Sequence, residues 1–410
     1  MSRTILLLAI WFSTSHISAG ENWTQFRGPT GDGHAQGELP LEIGKDNVRW
    51  EVEIHGKGWS SPVVWGDQIW MTTASLDGKQ MSTVCVDRES GKITHDILLF
   101  ENENPRYCHP TNSYASPTPV IQAGRLFAHF GSYGTCCVDT KTGQKIWERR
   151  DLPCDHWRGP GSSPVVDGDR LFVAYDGYDQ QYMVALDTGS GKTVWKKDRN
   201  IDYGTDNGDR KKAYSTAIVI DFAGRRQVVS PSAADTISYD PATGAELWRV
   251  RHGGMNSAVK PLFGHGLVYI TAGDGGTALV AVRPDGSGDV TKSHIAWGFG
   301  KSVPKRPSQI LSGDHLYMIN DEGVASCLEA KTAKIMWQKR VGGKFRASPI
   351  VVGGNIYCFS LNGEIKVFAA SPEYKLVAEG KLGDGFQASP AVVGDSMILR
   401  SLTHLYYVAK

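Results

Sequence analysis

The 410-residue sequence predicts an all-β fold: an eight-bladed β-propeller of four-stranded antiparallel blades, closed by the N-terminal strand around Trp50 joining the last blade. Three observations predict it. A short phrase recurs eight times at spacings of 41 to 55 residues, the length of one four-stranded blade. Glycine (47) and tryptophan (12) are frequent, as many tight turns and a repeated aromatic require. The pattern is also offset at its ends, with an extra strand before the first repeat and one missing from the last.

The opening strand of each repeat carries the phrase, at Ser61-Pro62-Val63-Val64, Ser116-Pro117-Thr118-Pro119, Ser163-Pro164-Val165-Val166, Ser215-Thr216-Ala217-Ile218, Lys260-Pro261-Leu262-Phe263, Pro307-Ser308-Gln309-Ile310, Ser348-Pro349-Ile350-Val351 and Ser389-Pro390-Ala391-Val392. A glycine hairpin such as Gly168-Asp169 or Gly313-Asp314 leads to the second strand. The third strand ends in an acidic turn, as in Asp87 to Gly91, Asp139 to Gly143, Asp187 to Gly191 and Asp240 to Gly244. Aspartate bonds such a turn's backbone and glycine closes it. A fourth strand then carries Trp147, Trp195, Trp248, Trp297 or Trp337. The last repeat stops at its third strand near Tyr406, so Val48-Arg49-Trp50-Glu51-Val52 is expected to complete it and remove the open edges.

Residues 1–20 have the layout of a signal peptide: Arg3, an apolar run from Ile5 to Phe12, then Ser18-Ala19-Gly20. The run is too short to cross a bilayer, and the first cysteine, Cys85, is far from the cleavage point. A periplasmic or secreted protein without a lipid anchor or transmembrane segment is expected. Residues 21–47 then form an extended N-terminal arm packed on the outer surface, and residues 48–410 a single propeller domain, taken as a monomer. Beyond the leader, 43 basic residues face 43 acidic ones, so global charge makes no case for nucleic acid as partner.

The run from Ser163 to Trp195, with its Ser-Pro-Val-Val opening, Gly168-Asp169, acidic turn and tryptophan, resembles the repeat of the pyrroloquinoline quinone (PQQ)-like β-propellers of the quinoprotein alcohol dehydrogenase-like superfamily. That superfamily includes quinoprotein dehydrogenases and the outer-membrane β-barrel assembly lipoprotein. The phrases Trp23 to Pro29, Asn112 to Pro117 and Lys212 to Thr216 are similar to a narrower group of exported members without an assigned reaction. The resemblance implies the fold over nearly the whole chain; function is a matter of the site grafted onto it.

Two functions stay open. One is a ligand-binding or protein-interaction scaffold; the alternative is an oxidoreductase holding PQQ over a divalent cation and acting on an alcohol or sugar. The dehydrogenases place two adjacent cysteines beside the quinone, and Cys136-Cys137 invites that comparison. Aligning the repeats puts Cys85, Cys137, Ala185, Ser238 and Cys327 in one small core slot, and neighbouring side chains on a strand point to opposite faces. Structural packing is therefore expected for the pair.

Residues just before each opening phrase should gather at one mouth of the central channel. They include Trp59, His109, Asn112, Tyr114, His156, Trp157, Arg158, Lys212, Asn256, Arg306 and Arg346, which form the candidate ligand site, with Tyr214, Lys305 and Gln387 nearby. Basic, amide and aromatic groups dominate, which suits an anionic small molecule, a glycan or a protein segment. Asn112 and Asn256 would supply amides to a cation, with Asp155, Asp202 and Asp206 as the available acids. Cys108 and Cys154 hold matching positions on neighbouring loops and are expected to form a disulfide, an exported protein permitting one. A metal cluster of these cysteines with His109 and His156 has no tight spacing motif behind it, and no metal ligands are assigned.

Overall fold

The repeats fold into four-stranded blades, and eight of them stand in a ring in the computed structural model, which describes residues 22–275 and 279–410. The predicted leader lies outside the described residues. Blade 1 comprises Val63–Trp65, Gln68–Ala74, Gln80–Asp87 and Ile93–Glu101, innermost strand first. Blade 8 comprises Ala391–Val393, Ser396–Arg400 and His404–Ala409, with Val48–Glu53 added as its outer strand. Trp50 lies opposite Tyr407 and Val52 opposite Leu405 in that antiparallel pair, and the Trp50 and Tyr407 rings stack 5.5 Å apart. The strand Val48–Glu53 and the last described strand thus close the ring as expected.

Each blade buries both faces, because alternate residues along a strand point to opposite neighbours. Ile69, Met71, Val84 and Val86 of blade 1 pack with Ile398 and Leu405 of blade 8, whereas Trp70 and Cys85 pack with Leu126 and Val138 of blade 2. The same rule separates Cys136 from Cys137: both are buried thiols, Cys136 facing blade 1 and Cys137 facing blade 3.

The repeated tryptophan fastens five of the blades to the next, whereas Trp248 bonds Oε1 of Gln227 within its own blade. In those five the indole donates to a carbonyl in the following blade's acidic turn: Trp50 to Arg88, Trp147 to Thr188, Trp195 to Pro241, Trp297 to Ala330 and Trp337 to Ser371, at 2.9–3.1 Å. The turn's glycine lets the ring lie flat against it. A Cβ at Gly91 or Gly244 would fall 2.7 or 2.6 Å from Trp50 or Trp195. The turn aspartates are fixed in turn; Asp87 and Asp187 accept from the hydroxyl and amide of Ser90 and Ser190, which lowers both carboxyl pKa values.

A second fastening runs round the channel. The residue two before each inner strand donates its amide to the hydroxyl of its counterpart in the next blade: Ser61 to Thr118, Thr118 to Ser163, Ser163 to Thr216, Lys260 to Ser308, Ser308 to Ser348, Ser348 to Ser389 and Ser389 to Ser61, at 2.9–3.0 Å. This register corrects the sequence alignment in three blades, where Thr118, Thr216 and Ser308, rather than Ser116, Ser215 and Pro307, take the repeat's first position. Lys260 has no hydroxyl to offer, so it breaks the circle between blades 4 and 5.

The arm does not lie on the outer surface. Trp23 bridges to Val64 of blade 1, the Thr24 carbonyl accepts from Ile121 of blade 2, the Phe26 carbonyl accepts from Nζ of Lys260 in blade 5, and Arg27 donates to Ser308 and Gln309 of blade 6. His34–Ala35 then pairs in parallel with the inner strand Ile350–Val352 of blade 7. The segment therefore crosses the channel, contacting inner strands on both sides, and leaves where Leu39 and Ile43 pack with blades 7 and 8. Trp23 and Arg27 are each 1 % exposed. Every inner strand has an unpaired edge toward the channel, and the arm's backbone uses several of them. Among the described residues no helix is long and apolar enough to cross a membrane.

Candidate functional site

Above the arm the channel opens as a funnel enclosing about 180 Å³, floored by Phe26 and by the ring residues Ser61, Thr118, Ser163, Thr216, Ser348 and Ser389. Its walls are the loops that enter each blade. Of the predicted residues, Trp59, His109, Asn112, Arg158, Asn256, Arg306 and Arg346 line it, joined by Tyr214, Asp274 and Gln387.

The four others do not. Tyr114 turns outward, its hydroxyl bonded to the Arg106 carbonyl and its ring edge-on to Tyr133. His156 is buried between blades 2 and 3, accepting from the Ser132 amide, and desolvation brings its pKa down to about 4. Lys212 is buried under the rim and bonds Asp209. Trp157 stands on the rim, 46 % exposed, against Tyr107 and Tyr178.

Charge in the funnel is more balanced than the sequence implied, because carboxylates arrive from loops outside the opening phrases. Arg158 pairs with Asp209 at 2.8 Å, Arg306 with Asp321 at 2.7 Å and Lys305 with Asp274 at 2.8 Å. Arg346 has no carboxylate among the described residues; its Nη1 donates only to the Thr111 carbonyl, at 3.1 Å. Burial, then Arg306, lowers its pKa. The cations still prevail at His109, whose pKa is lowered first by desolvation and then by Arg158, Arg346, Lys212 and Arg306, four charges from four loops. The Nδ1 atom of His109 accepts from the Thr111 amide, which leaves Nε2–H of the neutral ring as a donor.

Three residues of the wall also carry a buried polar atom without a partner, Nε1 of Trp59, Oη of Tyr214 and Oδ1 of Asn256, each closed off from solvent. Asn256 is 8 % exposed and sits at a φ of 55°.

The residues do not fit a quinone over a divalent cation. Hard cations take several oxygen ligands. Asp274 is the single carboxylate on the wall and is held by Lys305. Asn112 is consumed as a staple, Nδ2 donating to the carbonyls of Arg158 and Pro160 and Oδ1 accepting from Ser113 and Ser116. Asp155 accepts from the Trp157 amide and Asp202 from Gly204, and neither acid, nor Asp206, reaches the cavity. Among the described residues no three His, Cys, Asp or Glu converge on a metal position. The expected disulfide is also absent from the structure. Cys108 points its Sγ at the carbonyls of His109 and Arg158, while Cys154 is buried against His156 and the Gln180 carbonyl, so the two thiols take separate partners.

Comparison with known proteins places the chain. The family model described as outer membrane protein assembly factor BamB matches residues 41–174, 179–287 and 278–373, and the chain belongs to that family of PQQ-like β-propellers. Among curated proteins, it is 24 % identical over 255 residues to tetrathionate hydrolase of Acidithiobacillus ferrooxidans, covering 58 % of this chain and 48 % of that one. It is 26 % identical over 216 residues to the assembly factor BamB of Moranella endobia, covering 49 % and 53 %. The chain thus spans about half the length of the curated relatives it matches. Solved structures with the same fold include a europium-containing methanol dehydrogenase (TM-score 0.68, 11 % identity, 95 % of this chain and 98 % of that one). BamB from Moraxella catarrhalis (0.62, 13 %, 88 % and 99 %) and the quinohemoprotein alcohol dehydrogenase of Comamonas testosteroni (0.69, 10 %, 97 % and 82 %) share it too.

Proposed function

We propose that this member of the BamB family of PQQ-like propellers is an exported binding scaffold whose funnel takes an anionic ligand, whether a small molecule, a glycan or an acidic protein segment. One observation carries the proposal: a single cavity gathers Arg158, Arg306 and Arg346, and Arg346 has no carboxylate partner among the described residues. An arginine fork matches carboxylate, sulfate or phosphate, and the hydroxyls of the funnel floor can donate beside it. Two relatives lend support from different sides, one named for an assembly role and one for tetrathionate, itself a dianion. Export rests on the leader read in residues 1–20, with 21–47 as the arm and 48–410 as one monomeric propeller. A PQQ-dependent oxidation of an alcohol or sugar is the alternative, and the donor set of the funnel gives it no support.

The test is a panel of sulfate, tetrathionate and short dicarboxylates titrated calorimetrically into wild type and Arg346→Ala. Binding of at least one anion is expected, weakened about tenfold or more by the substitution, since charge-assisted hydrogen bonds are worth roughly 1.5–3 kcal/mol. The melting temperature should hardly move, because Arg346 makes one protein hydrogen bond. Equal affinity in the variant, or no binding by any anion, would sink the proposal.

A further inference from the structure

Among the described residues, the exposed aromatic side chains Tyr107, Trp157 and Tyr178 cluster on the funnel's rim. Tyr107, Trp157 and Tyr178 are 53 %, 46 % and 40 % exposed, and their rings follow one another at 6.0 and 5.6 Å with tilts of 57° and 42°. They form a stepped surface with open faces rather than a buried stack. Trp157 is held at a φ of 56°, a left-handed conformation that a bulky side chain avoids unless its surroundings impose it. Here they do, because the Trp157 amide is drawn to Oδ1 of Asp155 at 2.8 Å. Tyr178 is backed by Gly208, where a Cβ would lie 2.4 Å from its ring. The platform is therefore set before any ligand arrives. It is continuous with the funnel, since Arg158 follows Trp157 and the His109 ring meets Tyr107 edge-on at 6.4 Å.

Resting on the anion reading above, we infer that the ligand is an acidic oligosaccharide, whose sugar faces lie on Trp157 and Tyr178 while a uronate or sulfate reaches Arg346. Aromatic faces suit the C–H faces of pyranose rings, and the step between neighbouring rings is comparable to one sugar residue. A peptide is the poorer fit. Extended peptides bind through main-chain hydrogen bonds to a free edge. Here the amides of Asp155, Trp157, Arg158, Tyr178 and His109 are already bonded within the two loops. What remains for a ligand is side-chain chemistry: the neutral His109 Nε2–H, the hydroxyls of the funnel floor, and the cation.

The experiment titrates tetragalacturonate, its methyl ester, a tetraglutamate peptide and inorganic sulfate into wild type, Trp157→Ala, Trp157→Phe, Tyr178→Ala and Arg346→Ala. Tetragalacturonate is expected to bind at least about tenfold more tightly than sulfate, and Trp157→Ala and Tyr178→Ala each to weaken it about tenfold, the scale of a truncated aromatic anchor. Neither should alter sulfate binding, Trp157→Phe should keep most of the affinity, and the methyl ester and Arg346→Ala should both lose it. The inference is overturned if tetraglutamate binds as tightly as tetragalacturonate, or if the two aromatic truncations leave tetragalacturonate unaffected. Arg346-dependent sulfate binding in either event would show that the anion site stands and only the saccharide assignment has failed. Absence of both sulfate and tetragalacturonate binding would instead remove the anion site and this inference together.

Discussion

Lys260 ties the arm to the ring, and its protonation should be readable in stability. Its side chain is buried, with one hydrogen bond to the Phe26 carbonyl at 3.3 Å. Burial, then Arg27, lowers its pKa from 10.5 to about 7, with the Asp32 carboxylate opposing. Below pH 7 both folded and unfolded chains carry the proton, and the fold bears the full cost of the buried charge. Between pH 7 and 10.5 the unfolded chain binds the proton and the folded one does not, so stability rises with pH, by about 1.4 kcal/mol per unit. From pH 6.5 to 8.5 the gain works out to about 2 kcal/mol. Other groups titrate nearby, among them the buried thiols, whose raised pKa values make stability fall as pH rises past 9, their unfolded value. Lys260→Met isolates the lysine, because subtracting the variant's profile from that of wild type cancels the rest. Urea unfolding at pH 6.5, 7.5 and 8.5 should show the variant's advantage shrinking by about 2 kcal/mol over that range. Parallel profiles would mean that Lys260 is solvated and that the arm does not seal the channel around it.

Trp50→Ala should destabilise by about 3 kcal/mol, since it removes the indole that closes the ring on Arg88 and stacks on Tyr407, while Trp157→Ala should change stability by less than about 0.5 kcal/mol; denaturant midpoints compare the two. Gly244→Ala should cost about 2 kcal/mol or more, from the φ of 68° together with a Cβ 2.6 Å from Trp195, whereas Gly266→Ala, with its nearest atom at 3.5 Å, should cost only the backbone strain of about 1 kcal/mol. Alkylation in denaturant without reductant should modify all seven cysteines; a mass short by two labels would restore the Cys108–Cys154 bridge. Acid should weaken the fold between pH 6.5 and 4, because His129, His156 and His252 are buried neutral with pKa values lowered by desolvation to about 3, 4 and 4, so that only the unfolded chain gains protons there.

The fold was legible because its signals are local and repeated. A tryptophan and an acidic turn some residues away report the two halves of one joint, even though every such Trp but Trp248 meets the turn of the next blade. Strand counting then places Trp50 beside Tyr407. The funnel was legible in part from the loops that enter the inner strands, which supply Trp59, His109, Asn112, Arg158, Asn256, Arg306 and Arg346. Sequence distance failed where a loop bonds to itself: the Asp155 side chain draws in the Trp157 amide and sets that ring on the rim, and the same loop packs His156 beneath it. It also failed for the carboxylates. Asp209 belongs to a separate short helical turn and Asp321 to a hairpin within blade 6, so nothing in the opening phrases announces that they neutralise Arg158 and Arg306.

The arm was illegible for another reason, because a segment without periodicity can be placed only by what it touches. Its contacts explain an irregularity in the repeat itself. Seven of the eight first positions accept or donate through a serine or threonine, and the eighth is Lys260. A hydroxyl there would complete the circle between blades 4 and 5 but would leave the Phe26 carbonyl without its donor. Breaking one link of the ring therefore fixes the arm, and fixing the arm sets Phe26 as the floor of the funnel. The irregular lysine thus accounts for one of the contacts that hold Phe26 at the funnel floor.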